Sequence, residues 1–191
     1  MNKNRLESFS DGVIAIILTI MVLDLKLPQE PTLAGLLQLW PVYVAYLLTF
    51  GNVFMMWVAH HDIVAEIRTV DYPVLFANGL LLFFMSLVPF ALAFASETHW
   101  SVPVPVALYG VVMLAASGGF VWLRLAVGTH SRDRTVIAHQ RAQASTTFVV
   151  GCAFLAGSVA AFYEPRAALF LYAAVPLFRI GQLSARAHAR A

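Results

Sequence analysis

This sequence is poor in charge. Of its 191 residues only 12% are Asp, Glu, Lys or Arg, about half the share of a soluble domain. Hydrophobic residues make up 60%, and mean hydropathy is +0.77. A soluble globular domain is excluded and an integral membrane protein is indicated. The chain is too short for a large extramembrane domain once its spans are set aside. It has a single cysteine, Cys152, which excludes a disulfide framework. Its place in an apolar run reads as a small buried apolar side chain. A net charge of +2 gives no ground for a nucleic-acid partner. No glycine-rich phosphate loop follows a strand. Neither Ser145-Thr146-Thr147, nor Arg132-Asp133-Arg134, nor the scattered histidines form a nucleophile–base spacing, so no enzyme is expected. No internal repeat, low-complexity segment or linker divides the chain, and residues 1–191 read as one domain. A cleavable signal peptide is not expected either. Glu7 and Asp11 stand where its apolar region should begin, and Asp24, Lys26 and Pro28 replace a small-residue cleavage site.

Long apolar runs are what the chain has instead. A spanning helix needs about 20 mostly apolar residues, and six such stretches occur: 7–27, 33–59, 73–95, 103 to 123–127, 143–162 and 167–183. Pro28, Glu30 and Pro31 turn the chain after the first, since proline cannot continue a helix. Trp40 and Tyr43 suit an interfacial aromatic belt at the start of the second. His60, His61, Asp62, Glu66, Arg68 and Asp71 follow it on the opposite side. Pro73 fits the first turn of the third span. Residues 128–141 form the longest polar connection, and the basic stretch from Arg124 to Arg141 suits anionic head groups. In the sixth stretch Pro176 and Arg179 shorten the apolar run and leave a kink or an interfacial end open. Gly118-Gly119 in the fourth suits close helix packing. Ten of the twelve lysines and arginines, Arg132, Arg186 and Arg190 among them, fall on the side of the N-terminus, and only Lys26 and Arg166 on the other. The excess places both termini in the cytoplasm of a multi-pass cell-membrane protein.

The first stretch, RLESFSDGVIAIILTIMVLDLKL, is unlike the others. It opens polar and then runs apolar from Val13 to Leu23, interrupted by Thr19. Helical spacing puts Gly12, Ile16, Thr19, Leu23 and Leu27 near one stripe, with Ile20 beside it. A helix facing lipid needs neither a polar head nor a stripe with a small residue and a hydroxyl. A helix packed against copies of itself around a water path could use both. Four copies of Ile16 around an axis would form an apolar ring that blocks ions by dewetting, Thr19 would offer hydroxyl oxygens one turn away, and Leu23 with Ile20 would add further collars. Ordinary packing at the same spacing, with Thr19 bonded to its own helix carbonyl, is the competing reading. Asp11, near the membrane boundary, needs a partner, and Ser8 is placed to cap the helix. Arg5, Ser10 and Asp11 read as anchors to the second and third spans through Trp57, His60 or Asn78. His60-His61 is no metal pair, because adjacent side chains point about 100° apart on a helix.

Arg5-x-x-x-Phe9-Ser10-Asp11, followed by Ile16 and Thr19, resembles the signature of the transmembrane-protein-175 family of potassium channels. Trp57-x-x-His60-His61 and Pro89-Phe90 resemble the family as well. The resemblance implies an all-α, six-span, potassium-selective channel whose first helix lines the axis. It also implies a homotetramer, as for family members with one six-helix unit per chain, and a structural rather than ion-binding role for the Arg5, Phe9, Ser10 and Asp11 group. No cofactor and no metal are expected beyond the permeant K+ ion, and the partners are other copies of the chain and membrane lipid. A secondary transporter is the alternative, and a non-conducting scaffold a third. Against the transporter, no charged residue is expected at the middle of a span and no matching pair of broken helices marks an inverted repeat.

The chain also lacks any TVGYG-like stretch for a carbonyl filter. Discrimination then rests on partial dehydration at side-chain rings. Potassium should be preferred over sodium only about tenfold, roughly 1.4 kcal/mol. Reversal potentials in mixed potassium and sodium measure this, and sodium exclusion on the scale of a carbonyl filter would contradict it.

Overall fold

A computed structural model describes the backbone of residues 2–131 and 133–188, with the side chains of these apart from His130 and residues 183–188. Of the residues used above for orientation, Arg132 and Arg190 lie outside the described residues, and Arg186 is described in backbone alone. Among the described residues every regular element is helical.

Helix α1 covers Lys3–Ile20 and tightens into a 3-10 turn over Met21–Asp24. Its start is four residues earlier than the sequence suggests. Asn2, not Ser8, is the cap, and its side chain accepts from the Asn4 N–H at 3.1 Å. Its end is also earlier than Leu27: Leu25 is already extended. The expected second span divides in two. Thr32 caps a short α2, Leu33–Gln38, by accepting from the Gly35 N–H. Helix α3, Trp40–Glu66, then begins with Pro41 in its first turn, where the missing proline N–H costs nothing. It runs past Ala59 to Glu66 because the polar residues there find partners in the protein.

Asp71 caps α4, Tyr72–Ser86, through the Val74 N–H at 3.1 Å. The expected third span breaks at Leu87, ahead of Pro89, and resumes as α5, Val88–Glu97. Its end is unusual. His99 and Trp100, neither of them glycine, both have left-handed backbone (φ 48° and 56°). The Trp100 N–H donates to the Ala95 carbonyl at 3.0 Å, and the indole is buried edge-on against Tyr109 with ring centres 5.2 Å apart. Burial of this large side chain offsets the backbone strain.

Helices α6, Pro103–His130, and α7, Arg134–Ala160, are long and directly joined. The polar stretch 128–141 is therefore mostly helix, not a long connection. Asp133 makes the sharp restart by accepting from the Thr135 hydroxyl at 2.6 Å and the Thr135 N–H at 2.9 Å. These bonds hold its carboxyl below the ordinary carboxylate pKa. Helix α8, Pro165–His188, passes through Pro176 without ending.

Helices α4, α6, α7 and α8 pack in series, and α1 lies on the other side against α3 and α4. Small residues make room for close packing at two places. A side chain at Gly110 or Gly157 would overlap the Tyr172 ring, whose hydroxyl donates to the Val106 carbonyl at 3.1 Å. Gly119 meets α4, and a Cβ there would stand 2.9 Å from the Leu81 Cα. Gly118 faces open space, so only one of the two adjacent glycines serves close packing. Cys152 is exposed rather than buried, on the outward face of α7 with Phe148, Val149 and Leu155. Among the described residues five segments are long and apolar enough to cross a membrane: Lys3–Asp24, Trp40–Glu66, Tyr72–Glu97, Pro103–Thr129 and Arg134–Ala160.

Gly119→Ala forces α4 and α6 apart and should destabilise the protein by about 1–3 kcal/mol. Gly118→Ala meets nothing and should leave stability unchanged or slightly raised. Thermal unfolding of the two purified variants beside the parent tests the pair.

Candidate functional site

Helix α1 has two faces of opposite character. Leu6, Ser10, Ile14, Ile17 and Met21 form a buried stripe, spaced to lie on one side of a helix. Phe9, Gly12, Ile16, Thr19, Ile20 and Leu23 lie on the exposed side. Ile16 is 57% exposed and Leu23 is 79% exposed. Thr19 donates its hydroxyl proton to the carbonyls of Ala15 and Ile16, both at 3.0 Å.

The polar head of α1 is held by hydrogen bonds to two other helices. Asn78 of α4 sits between Ser10 and His60. Its amide nitrogen donates to the Ser10 Oγ at 3.0 Å, and its amide oxygen meets the His60 Nε2 at 2.7 Å. Ser10 in turn donates to the Leu6 carbonyl at 2.8 Å. All three side chains are buried. Trp57 of α3 donates its indole N–H to the Asp11 carboxylate at 2.9 Å. One turn of α3 thus holds one turn of α1 directly through Trp57 and a second time through Asn78 of α4.

Arg5 and Phe9 do not join this group. Both are exposed on α1, off the buried stripe of Leu6 and Ser10. The guanidinium of Arg5 has no hydrogen bond or ion pair among the described residues. His60 and His61 point apart, His60 to Asn78 and His61 towards Glu7 at 3.9 Å. Among the described residues no three His, Cys, Asp or Glu side chains gather as metal ligands.

Further ties fix both ends of the helix. At the start, the Lys3 ammonium donates to the Ala65 carbonyl at 3.0 Å, in the last turn of α3, where a cation is favoured. At the other end, Lys26 pairs with Glu97 and straps the segment after α1 to the end of α5.

A second polar cluster was not legible as such in the sequence. Arg124, read above as a head-group contact, is only 2% exposed and donates to the Gln140 Oε1 at 3.0 Å. Gln140 donates to one Glu66 carboxylate oxygen and His139 meets the other, each at 2.7 Å. The burial of Gln140 and Gln143 in α7 follows from this cluster. Arg179 of α8 also departs from the expectation of uncharged span centres, since it reaches Thr147, at the centre of α7, at 3.4 Å. The only sequence signal was a lone arginine or glutamine inside an otherwise apolar helical stripe.

Long apolar helices, with a polar head on the first of them anchored to its neighbours, define a polytopic α-helical membrane protein. A family model described as the endosomal/lysosomal potassium channel TMEM175 matches residues 5–89. A curated potassium channel from a Chryseobacterium species is 33% identical over 181 residues, which cover 93% of this chain and 92% of that one. Another, from Chamaesiphon minutus, is 39% identical over 119 residues, 58% of this chain and 59% of its own. The crystal structure of a lysosomal potassium-selective channel TMEM175 homolog from the same organism matches with a TM-score of 0.82 at 27% identity, over 94% of this chain and 97% of that one. The chain belongs to the TMEM175 family.

Asn78→Ala would leave the buried Ser10 hydroxyl and His60 ring without their shared partner. The loss should be on the order of 1–3 kcal/mol per unsatisfied group. Arg5→Ala, on the open face, should leave the thermal stability of a single subunit unchanged. Unfolding temperatures of the two variants decide the point.

Proposed function

We propose that this chain is one subunit of a potassium-selective cation channel, a homotetramer of six-span subunits in which four copies of α1 surround the conduction path. The observation that carries this reading is the split character of α1. Ser10 and Asp11 of its polar head are held by fixed partners, while beyond that head its exposed side is apolar and broken only by Gly12 and Thr19. Whole-length likeness to curated potassium channels supports it. The sixth span is α8, and the excess of lysine and arginine on the side of the N-terminus supports cytoplasmic termini.

In this arrangement Ile16 forms the narrowest ring. A hydrated cation gains nothing from isoleucine methyls, so the ring closes by dewetting. The Thr19 oxygens stand three residues on, about 4.5 Å along the helix, and meet the cation as it sheds part of its water. Ile20 and Leu23 form the next collars. Arg5 and Phe9 face neighbouring subunits, while Ser10, Asp11, Trp57, His60 and Asn78 hold α1 to the body of its own subunit. The permeant K+ ion needs no cofactor.

Purified protein in a planar bilayer tests the class. Discrete single-channel currents are expected; saturable, gradient-coupled flux would make it a transporter, and neither would leave a scaffold. Substitutions test the pore. Ile16→Asn brings four amides into the constriction and should raise conductance while lowering potassium selectivity. Thr19→Val keeps the shape without the hydroxyls and should lower both. Leu23→Asn should have the smaller effect. If Leu23→Asn opens the pore and Ile16→Asn does nothing, the gate lies one to two turns further along the helix.

A further inference from the structure

Three polar residues meet inside the subunit, away from α1. Asn52, Ser117 and Thr147 each stand within one residue of the centre of their helices, α3, α6 and α7. With Arg179 of α8 they line one cavity of about 20 Å³, enough for a single water molecule. Asn52 is 4% exposed, and its amide nitrogen lies beside the Tyr109 hydroxyl without making a hydrogen bond of ordinary geometry to any described residue. Ser117 donates its proton to the Met113 carbonyl and Thr147 to the Gln143 carbonyl, both at 2.9 Å. Each hydroxyl therefore has lone pairs left to accept with. Arg179 already donates to Thr147 at 3.4 Å, and one water accepting from Asn52 and donating to Ser117 and to the remaining lone pair of Thr147 fits these groups.

A second cavity of about 20 Å³ shares the Met55, Ala59 and Arg179 wall and continues to Asp62, Arg124 and Gln143, towards the end of the subunit where Glu66 lies. In the other direction the path closes. Thr49 and Tyr109 are hydrogen-bonded at 3.1 Å, and the Tyr109 ring is packed between Trp100 and Tyr172.

We propose that each subunit contains an internal water site at the level of its helix centres, held by Asn52, Ser117, Thr147 and Arg179 and reached through a second water site beside Asp62 and Arg124. This hydrated crevice enters from the Glu66 end, stops at Tyr109 and is separate from the open stripe of α1. It keeps the Arg179 guanidinium solvated where the surrounding helices are apolar. It depends on no reading of where the ion path runs.

Hydroxyl radicals generated by X-rays label side chains beside bound water, and the chain carries its own reporters. Met55 and Met56 line the first cavity, whereas Met85 and Met113 are fully buried in apolar packing. For the full chain in lipid nanodiscs, Met55 and Met56 should be oxidised several-fold faster than Met85 and Met113. Asn52→Leu should bring that excess down while the potassium current persists. Ser117→Ala, a smaller change, should lower it in the same direction and serves where Asn52→Leu fails to fold. Oxidation at Met55 and Met56 no faster than at Met85 and Met113, or unchanged by both variants, overturns the proposal.

Discussion

A polar side chain buried among membrane helices has no bulk water to fall back on, and the position of α1 follows from that constraint. Asn78 is where it acts most sharply. A carboxamide offers donors on one atom and acceptor sites on the other, and here the donor goes to Ser10 and the acceptor to His60. Moving α1 by a residue would take Ser10 away from the Asn78 amide donor and leave that buried N–H without its partner. The Asp11–Trp57 bond repeats the constraint one residue along. Together these bonds fix both the height and the rotation of α1, which apolar contacts alone, being non-directional, would leave loose. The outward direction of Ile16, Thr19 and Leu23 is a result of that fixed rotation.

The same reasoning explains the opposite side of this end of the bundle. Glu66 closes α3 and receives His139 and Gln140 from α7, while Gln140 also holds Arg124 of α6. Three helices are joined through one glutamine. The α1 head and this cluster lie on opposite sides of the last two turns of α3, so α3 links the open-faced helix to the rest of the fold. The interior water site proposed above lies on the same side of α3 as the Glu66 cluster.

Much of this was legible in the sequence because apolar runs of bilayer length have few other uses. The alternation of buried and open positions along α1 followed from 3.6 residues per turn. What escaped was local chemistry at helix ends. The extension of α3 to Glu66 depended on partners from α4 and α7 that lie far along the chain. The restart of α7 at Arg134 depended on Asp133 bonding to Thr135, in a stretch whose composition reads as loop. Prolines were legible as interruptions, yet Pro41 and Pro89 mark new helical starts while Pro176 lies within a continuous helix. Which of these a proline does depends on the packing around it, as the left-handed His99–Trp100 turn depends on the Tyr109 ring. Arg124 was misread for a related reason: a charged residue near a span end is usually at the head groups, and only the fold brings Gln140 to it.

The two carbonyls that share the Thr19 proton carry one further consequence. A free hydroxyl can rotate to meet either sign of charge, giving its proton to an anion or its lone pairs to a cation. This one has committed its proton to the preceding turn, and only lone pairs remain on the open side. On the proposed axis, four such oxygens would form an electronegative ring with no net charge. Valence discrimination would then be encoded in the direction of a hydrogen bond. It would not weaken on acidification as a carboxylate ring does, because a threonine has nothing to titrate in the physiological range.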